Sequence, residues 1–341
     1  MSADDLVLIT GASGHLGFKV LVLALQAGYK ARVAVRSQDK ANAILATESI
    51  RKLNPGTNLE FVVVVDILAS DAYTSAVQGV KYIIHCASPI TSGITEDFDK
   101  KIIQPALKGT TNILEAAYKS SGISRIVITS SIVAVIPFKE IFSQSGTTFD
   151  GSMKVPYNSG PYKTEFEAYA ESKVRALAFT HQFVAEKKPG FDIINIMPSY
   201  IIGKNELVTS VDDFDKGTNK ALFGQIRGYK RPAFPGTTVY LNDVAAVHVK
   251  ALDPQIPGNQ DFVATSGGID GIVHKDAIDI VKNNFPDAIS QGILPLNGVQ
   301  PTLTLKIDAS RTEKVFGLKF SGLETQVKSI TQHYLDLVAA Q

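Results

Sequence analysis

Cysteine is almost missing from this chain of 341 residues: Cys86 stands alone. A single thiol excludes an internal disulfide framework and fits a reducing compartment. Net charge is also missing, since 34 Lys and Arg meet 33 Asp and Glu for a formal charge of +1. That balance leaves no field for capturing nucleic acid or another polyanion at a distance. No apolar run approaches the ~18 residues of a membrane span, and Met1 to Asp5 hold no basic segment of a secretory leader. The expectation is a soluble, cytoplasmic protein with no membrane or nucleic-acid partner. No set of His, Cys, Asp and Glu shows metal-ligand spacing, so zinc chemistry is not expected.

What the chain does have is apolar mass: 45% of its residues are hydrophobic, enough to bury a large core. At roughly 150 residues per domain the length suggests two folding units. Short β-branched runs at 6–10, 32–35, 60–65, 82–85, 125–129 and 192–197 alternate with helical spacing at 16–27, 102–118 and 166–186. Such alternation predicts an α/β fold with a doubly wound parallel sheet. The runs are apolar throughout, as expected of strands covered on both faces by helices. Past Gly203 the rhythm changes. We expect residues 1–200, with 237–268 returning, to form a dinucleotide-binding domain, and 201–236 with 269–341 a smaller substrate-binding region. The stretch 147–162, rich in Pro, Gly and small polar residues, reads as a long loop of the lid or binding type.

The first strand runs into Thr10-Gly-Ala-Ser-Gly-His-Leu-Gly17, which opens the first helix. Gly11, Gly14 and Gly17 permit a tight turn, close approach of a pyrophosphate and close helix packing. The free N–H groups and positive dipole end of the helix favour an anion. Gly11, Ser13, Gly14, His15, Leu16 and Gly17 are therefore cofactor candidates, His15 either donating to a phosphate or packing. An NAD site offers an acidic residue at the end of the second strand; here Arg36 stands there, with Lys40 four residues on, and Asp39 is the one residue arguing for NAD. A guanidinium pairs with a 2′-phosphate through parallel N–H bonds, so NADP(H) is the predicted cofactor. Asp66 and Ile67 at the third strand end suit the adenine, and the small Ala87, Ser88 and Pro89 at the fourth suit the ribose.

Tyr169 and Lys173 sit four apart on a predicted helix, hence on one face. A fixed cation lowers the phenol pKa from ~10 toward a range where proton transfer is efficient. Thr129-Ser130-Ser131 ends the fifth strand, where a hydroxyl can hold a substrate oxygen. Ser131 is favoured over Ser130, because spacing alone does not say which faces the crevice.

These residues, with Met197-Pro-Ser-Tyr-Ile-Ile-Gly203 and the stretch 239–252, resemble the extended short-chain dehydrogenase/reductases, and more narrowly their dihydroflavonol-reductase-like branch, which includes fungal aldehyde, ketone and methylglyoxal reductases. The resemblance implies a Rossmann sheet and NADPH-dependent reduction of a carbonyl. Tyr169 would be general acid, Lys173 would hold the nicotinamide ribose, and Ser131 would position the carbonyl. It also implies that Pro198, Ser199, Tyr200 and Ile201 lie along the nicotinamide. Ala106 stands where many relatives carry an asparagine, which argues against a proton relay through that side chain. By the same comparison Asn112 is a packing or capping residue. Ile132, Val133, Phe166, Tyr200 and Phe223 are substrate candidates, with Phe138 and Phe234 beside them. All are uncharged, which points to an apolar aldehyde or ketone. His85 and His248 are expected to be buried, and Cys86 to be a small core residue. Two rivals remain: a nucleotide-sugar epimerase or dehydratase of the same fold, with Arg227 and Arg231 gripping a diphosphate, and a non-catalytic dinucleotide sensor, which has no need of the Ser, Tyr and Lys set.

Overall fold

A computed structural model describes residues 5–88 and 93–341, so residues 1–4 and Pro89 lie outside the described residues. Seven strands form one parallel sheet: β1 (Leu6–Thr10), β2 (Lys30–Val35), β3 (Leu59–Val63), β4 (Tyr82–His85), β5 (Arg125–Thr129), β6 (Asp192–Pro198) and β7 (Gln260–Ala264). Their spatial order is β7-β6-β5-β4-β1-β2-β3. The order reverses between β1 and β4, where chain leaving neighbouring strands diverges and a ligand crevice opens beyond the carboxyl ends. Alternating β-branched residues pack well on a pleated surface, and the central strands are buried end to end: Val7, Leu8, Ile9, Ile83 and Ile84 have no exposed surface.

Helices cover the sheet as α1 (His15–Gln26), α2 (Gln38–Leu45), α3 (Gln104–Tyr118) and α4 (Glu165–Lys187); α1, α3 and α4 fall at the three stretches of helical spacing, and α2 is one the spacing does not single out. Helix α1 buries Leu16, Phe18, Val20, Leu21 and Ala24. Helix α4 starts at Thr164, whose hydroxyl accepts from the Glu167 N–H at 3.1 Å, and carries Glu165 and Glu167 in its first turn against the positive dipole end. No helix of the described residues is long and apolar enough to cross a membrane.

Two compact units result: 1–138 with 151–197 and 245–262, and 139–150 with 198–244 and 263–341. The segment 139–150, placed with the first domain by the sequence reading, belongs to the second unit. Thr148 and Phe149 pair there with Lys306 and Ile307, a contact between residues too far apart in sequence for local spacing to reveal. The second unit has its own apolar core, in which Ile202, Phe214, Leu222, Phe223, Ile226 and Tyr334 take part. The part of the expected lid that lies in the first unit is fastened. The Asn158 N–H donates to Glu171 at 3.0 Å, and the Arg175 guanidinium donates to Glu171 at 2.7 Å and to the Asn158 carbonyl at 2.9 Å. The stretch from 151 to 162 is therefore held down on α4 by an internal ion pair.

Candidate active site

The glycine turn is built by contacts that leave no room for a side chain. Gly11 has φ +77°, and a Cβ there would come within 2.6 Å of the Ala87 backbone nitrogen; at Gly17 it would come within 2.3 Å of the Gly11 carbonyl oxygen. These approaches close the loop onto α1 and onto the end of β4. Gly14 occupies the cap position before α1, no side chain caps that end, and no acidic residue lies in the first turn. The helix end is thus open to an anion, which fits the diphosphate of a dinucleotide.

Arg36 follows directly on β2, exposed, and Lys40 is exposed on α2; neither is paired with a carboxylate among the described residues. Strand β3 ends at Val63, earlier than the sequence pattern suggests, although the Val64 N–H still donates to the Val35 carbonyl at 2.8 Å. Asp66 and Ile67 consequently sit on a turn past the strand. Asp66 caps that turn by accepting from the Leu68 N–H at 2.9 Å. The turn is held by Asn112, whose side-chain amide donates to the Ile67 carbonyl at 2.9 Å and to the Ala69 carbonyl at 2.8 Å. This tie between α3 and the loop after β3 is a positioning role that sequence reading missed. Asn112 is buried in the structure, and a buried amide needs partners, here carbonyls that the sequence pattern does not mark.

At the end of β4, Thr10 Oγ1 accepts from the Ala87 N–H at 3.1 Å and meets His85 Nδ1 at 2.8 Å. Burial, helped by the nearby Lys173 charge, lowers the His85 pKa to about 3, so this imidazole is neutral. Cys86 keeps some surface, yet desolvation pushes its thiol up to about 12, far from a nucleophilic thiolate at neutral pH. His248 has no exposed surface and meets Thr129 Oγ1 at 2.9 Å.

Tyr169 and Lys173 lie on one face of α4. The ammonium stands 5.6 Å from the centre of the phenol ring and reaches Ser88 Oγ at 3.4 Å. Phe166 stacks on Tyr169 with centroids 6.3 Å apart, and Phe138 leans on Phe166 at 5.8 Å. That aromatic row restricts the ring that carries the phenol. Helix α4 packs against the 3₁₀ turn Ile132–Ala134, whose cap is Ser131, accepting from the Val133 N–H at 3.5 Å. Ser131, Tyr169 and Lys173 are thereby assembled on two elements in contact. Ile132 and Val133 are buried in that turn, at 4% and 6% exposure, with little surface to offer a ligand.

In the second unit, Ser199 is buried, its N–H donating to the Ala264 carbonyl at 3.0 Å, while Tyr200 pairs with Thr238 and Ile201 with Val239. Tyr200 is half-buried, its ring edge-on to Phe234 at 5.0 Å. Phe223 corrects an expectation. It has no exposed surface and is wedged between Phe214 at 4.9 Å and Tyr334 at 5.1 Å, so it packs a core and lines no pocket. Aromatics at helical spacing look the same from sequence in either role.

Comparison with known proteins supplies the family. Residues 7–264 match the model of the NAD dependent epimerase/dehydratase family. The chain belongs to this family, the extended short-chain dehydrogenase/reductases. Membership makes it an NAD(P)-binding oxidoreductase. It is similar to ketoreductase CTB6 of Cercospora nicotianae, 34% identical over 98% of this chain and 96% of that one. It is also similar to the NAD-dependent epimerase/dehydratase ALT6 of Alternaria alternata, 35% identical over 95% of this chain and 96% of that one. Among solved structures, yeast methylglyoxal/isovaleraldehyde reductase Gre2, complexed with NADPH, superposes with a TM-score of 0.83 at 24% identity, covering 98% of this chain and 100% of that one. The last likeness concerns the fold.

Proposed function

We propose that this family member is an NADPH-dependent carbonyl reductase that converts an apolar aldehyde or ketone to an alcohol. The observation that carries the reading is the pairing of Tyr169 and Lys173 on α4, packed against the turn capped by Ser131. The ketoreductase relative supports it. When bound, the cofactor supplies the hydride. Gly11, Ser13, Gly14 and Gly17 receive its diphosphate, Arg36 and Lys40 its 2′-phosphate, and Asp66 and Ile67 its adenine end. Ser131 holds the carbonyl oxygen by donating a hydrogen bond. Tyr169 gives its phenolic proton to the same oxygen as negative charge grows there, and the Lys173 ammonium steadies the phenolate left behind. Phe166, half-buried and stacked on Tyr169, offers an apolar wall beside the reacting oxygen. Cytoplasmic location and a small-molecule carbonyl partner complete the proposal.

The epimerase/dehydratase alternative needs a grip on a second diphosphate. Arg227 and Arg231 are the cations reserved for it, and both are engaged. Arg227 pairs with Asp215 at 2.8 Å and lies over the Tyr334 ring, while Arg231 donates to the Lys220 carbonyl at 2.9 Å. The deciding experiment follows loss of reduced-nicotinamide absorbance over a panel of aldehydes, diketones and aryl ketones, with NADPH and NADH in parallel. Turnover with NADPH is expected, falling at least ~10²-fold in Tyr169→Phe while NADPH binding persists. Full activity in that variant would remove the mechanism.

A further inference from the structure

Alongside Lys173 the first unit contains a cavity of about 20 Å³, whose polar lining comes from His85, Ser88, Thr110, Thr129, Ser130, Lys173, Thr180 and Asn195. One water molecule needs roughly 10–15 Å³ and two to four polar partners. Five of these eight side chains are already committed. His85 meets Thr10, Thr129 meets His248, Thr180 donates to the Leu177 carbonyl at 2.7 Å, Thr110 donates to the Ala106 carbonyl at 3.1 Å, and Ser88 accepts from Lys173 at 3.4 Å. The other three are not. Asn195, 2% exposed, donates through its amide nitrogen to Asp261 at 2.8 Å and to Thr180 at 3.3 Å. A carboxylate only accepts, so the nitrogen must face Asp261 and the carboxamide oxygen is turned away from it. That oxygen is buried without a partner, and so is Ser130 Oγ. Lys173, 8% exposed, brings three N–H donors, and among the described residues its one side-chain hydrogen bond is the 3.4 Å contact to Ser88. Two buried oxygens without partners, beside a buried ammonium around a water-sized space, call for a polar occupant, because leaving such oxygens unmet is costly.

We propose that this cavity holds one fixed water, accepting from the Lys173 ammonium and bonded to Ser130 Oγ and Asn195 Oδ1. The inference rests on the reductase reading for its consequence: the water anchors Lys173 on the cavity side, so that its charge stays near the Tyr169 phenol. Ser130 and Asn195 are positioning residues that act through the lysine. The two adjacent serines then have separate duties, Ser131 toward the carbonyl oxygen and Ser130 toward the water. Successive residues of extended chain point to opposite faces, and Ser131 is extended at φ −158°, ψ 153°. The ionisable groups around the ammonium are the neutral His85 on β4, the protonated Cys86 thiol, Tyr169 on the same helix, His248 behind Thr129 and the Asp261 carboxylate behind Asn195.

A crystal structure of the unaltered protein, at a resolution that orders solvent, should show a single water within hydrogen-bonding distance of all three groups. An empty cavity, or a water touching neither Ser130 nor Asn195, overturns the proposal. In solution, Ser130→Val fills the space. It should lower kcat about 10-fold with little change in KM for the cofactor, a positioning loss. In the reverse, alcohol-oxidising direction the low-pH limb should move to higher pH, since a less well anchored cation stabilises the phenolate less. Ser130→Gly admits a second water in place of the hydroxyl and should restore the unaltered pH profile. A Ser130→Val protein with unchanged kcat and pH profile overturns the proposal, as does a Ser130→Gly protein impaired to the same degree. If Ser130→Val does not fold, the solvent structure decides. An inactive Tyr169→Phe beside an unaffected Ser130→Val removes the water alone, whereas an active Tyr169→Phe removes the reductase reading and leaves the water to the crystallographic test.

Discussion

A polar pocket in the first unit and an aromatic cluster in the second bury different kinds of matter. Around α4 and the ends of β4, β5 and β6, the first unit encloses an ammonium, an imidazole, a carboxamide and several hydroxyls at Lys173, His85, Asn195, Ser130 and Ser131. The second unit also buries polar groups, among them Gln326, Thr331 and His333, but its central cluster is apolar, with Phe214, Phe223 and Tyr334 in mutual contact. Buried polar groups add little net stability and are costly when a partner is lost. Buried aromatics stabilise by several kcal/mol each and carry no chemistry. The contrast assigns reactivity to the first region and endurance to the second, and substitutions can test that division.

The largest effect is expected for Lys173→Met. It removes the cation beside Tyr169 while keeping an apolar stem of similar length. Turnover should fall ~10²-fold or more, with thermal stability unchanged or raised, because a sparsely bonded buried charge is gone. A clear fall in the melting temperature with turnover unchanged would dissolve the contrast. Phe223→Ala is its mirror image. Emptying a fully buried aromatic site should cost about 3–5 kcal/mol in denaturant unfolding, while KM for NADPH stays as it was. If cofactor affinity dropped with it, Phe223 would be acting on the site after all.

Arg36→Ala sharpens the comparison within the first unit. Loss of an exposed guanidinium should narrow the preference for NADPH over NADH by about 10-fold in kcat/KM and leave unfolding untouched. An unchanged preference would pass the role to Lys40. The smallest effect at neutral pH is expected from His85, whose contribution appears only in acid. His85 titrates near 3 in the folded chain and near 6.5 when unfolded, so between those values the unfolded chain binds the extra proton. Stability should therefore decline as pH falls from about 6.5 toward 3, at up to about 1.4 kcal/mol per pH unit for this one group. His274 and His333 in the second unit are also lowered by burial and add slope of the same sign. Replacing His85 by Asn should flatten the decline measured by thermal unfolding across that range.

Which of these features could be read from the amino acids alone follows from how local their physics is. The glycine cradle and the Tyr169–Lys173 face are set by neighbours within one turn of chain, and the helices that carry them start and stop within a few residues of the expected places. Strand order at the crevice follows from the alternation of strands and helices. The parity of a strand end is not local: whether Ser130 or Ser131 faces a given side depends on the pairing with β6, where the Ser130 N–H donates to the Ile196 carbonyl at 2.7 Å. The same holds for 139–150, drawn into the second unit by pairing with Lys306 and Ile307, and for Phe223, whose wedge between Phe214 and Tyr334 depends on a helix more than a hundred residues away. Asn112 was read as packing or capping because its acceptors are carbonyls of a loop that no side-chain pattern announces.

That amide bears on redesign. Because Asn112 clasps the Ile67 and Ala69 carbonyls, the turn presenting Asp66 is indexed to α3 and not to Arg36 on the neighbouring strand end. An engineer could rewrite position 36 without disturbing the turn that carries Asp66. A library that randomises position 112 would loosen that turn and leave the end of β2 as it is.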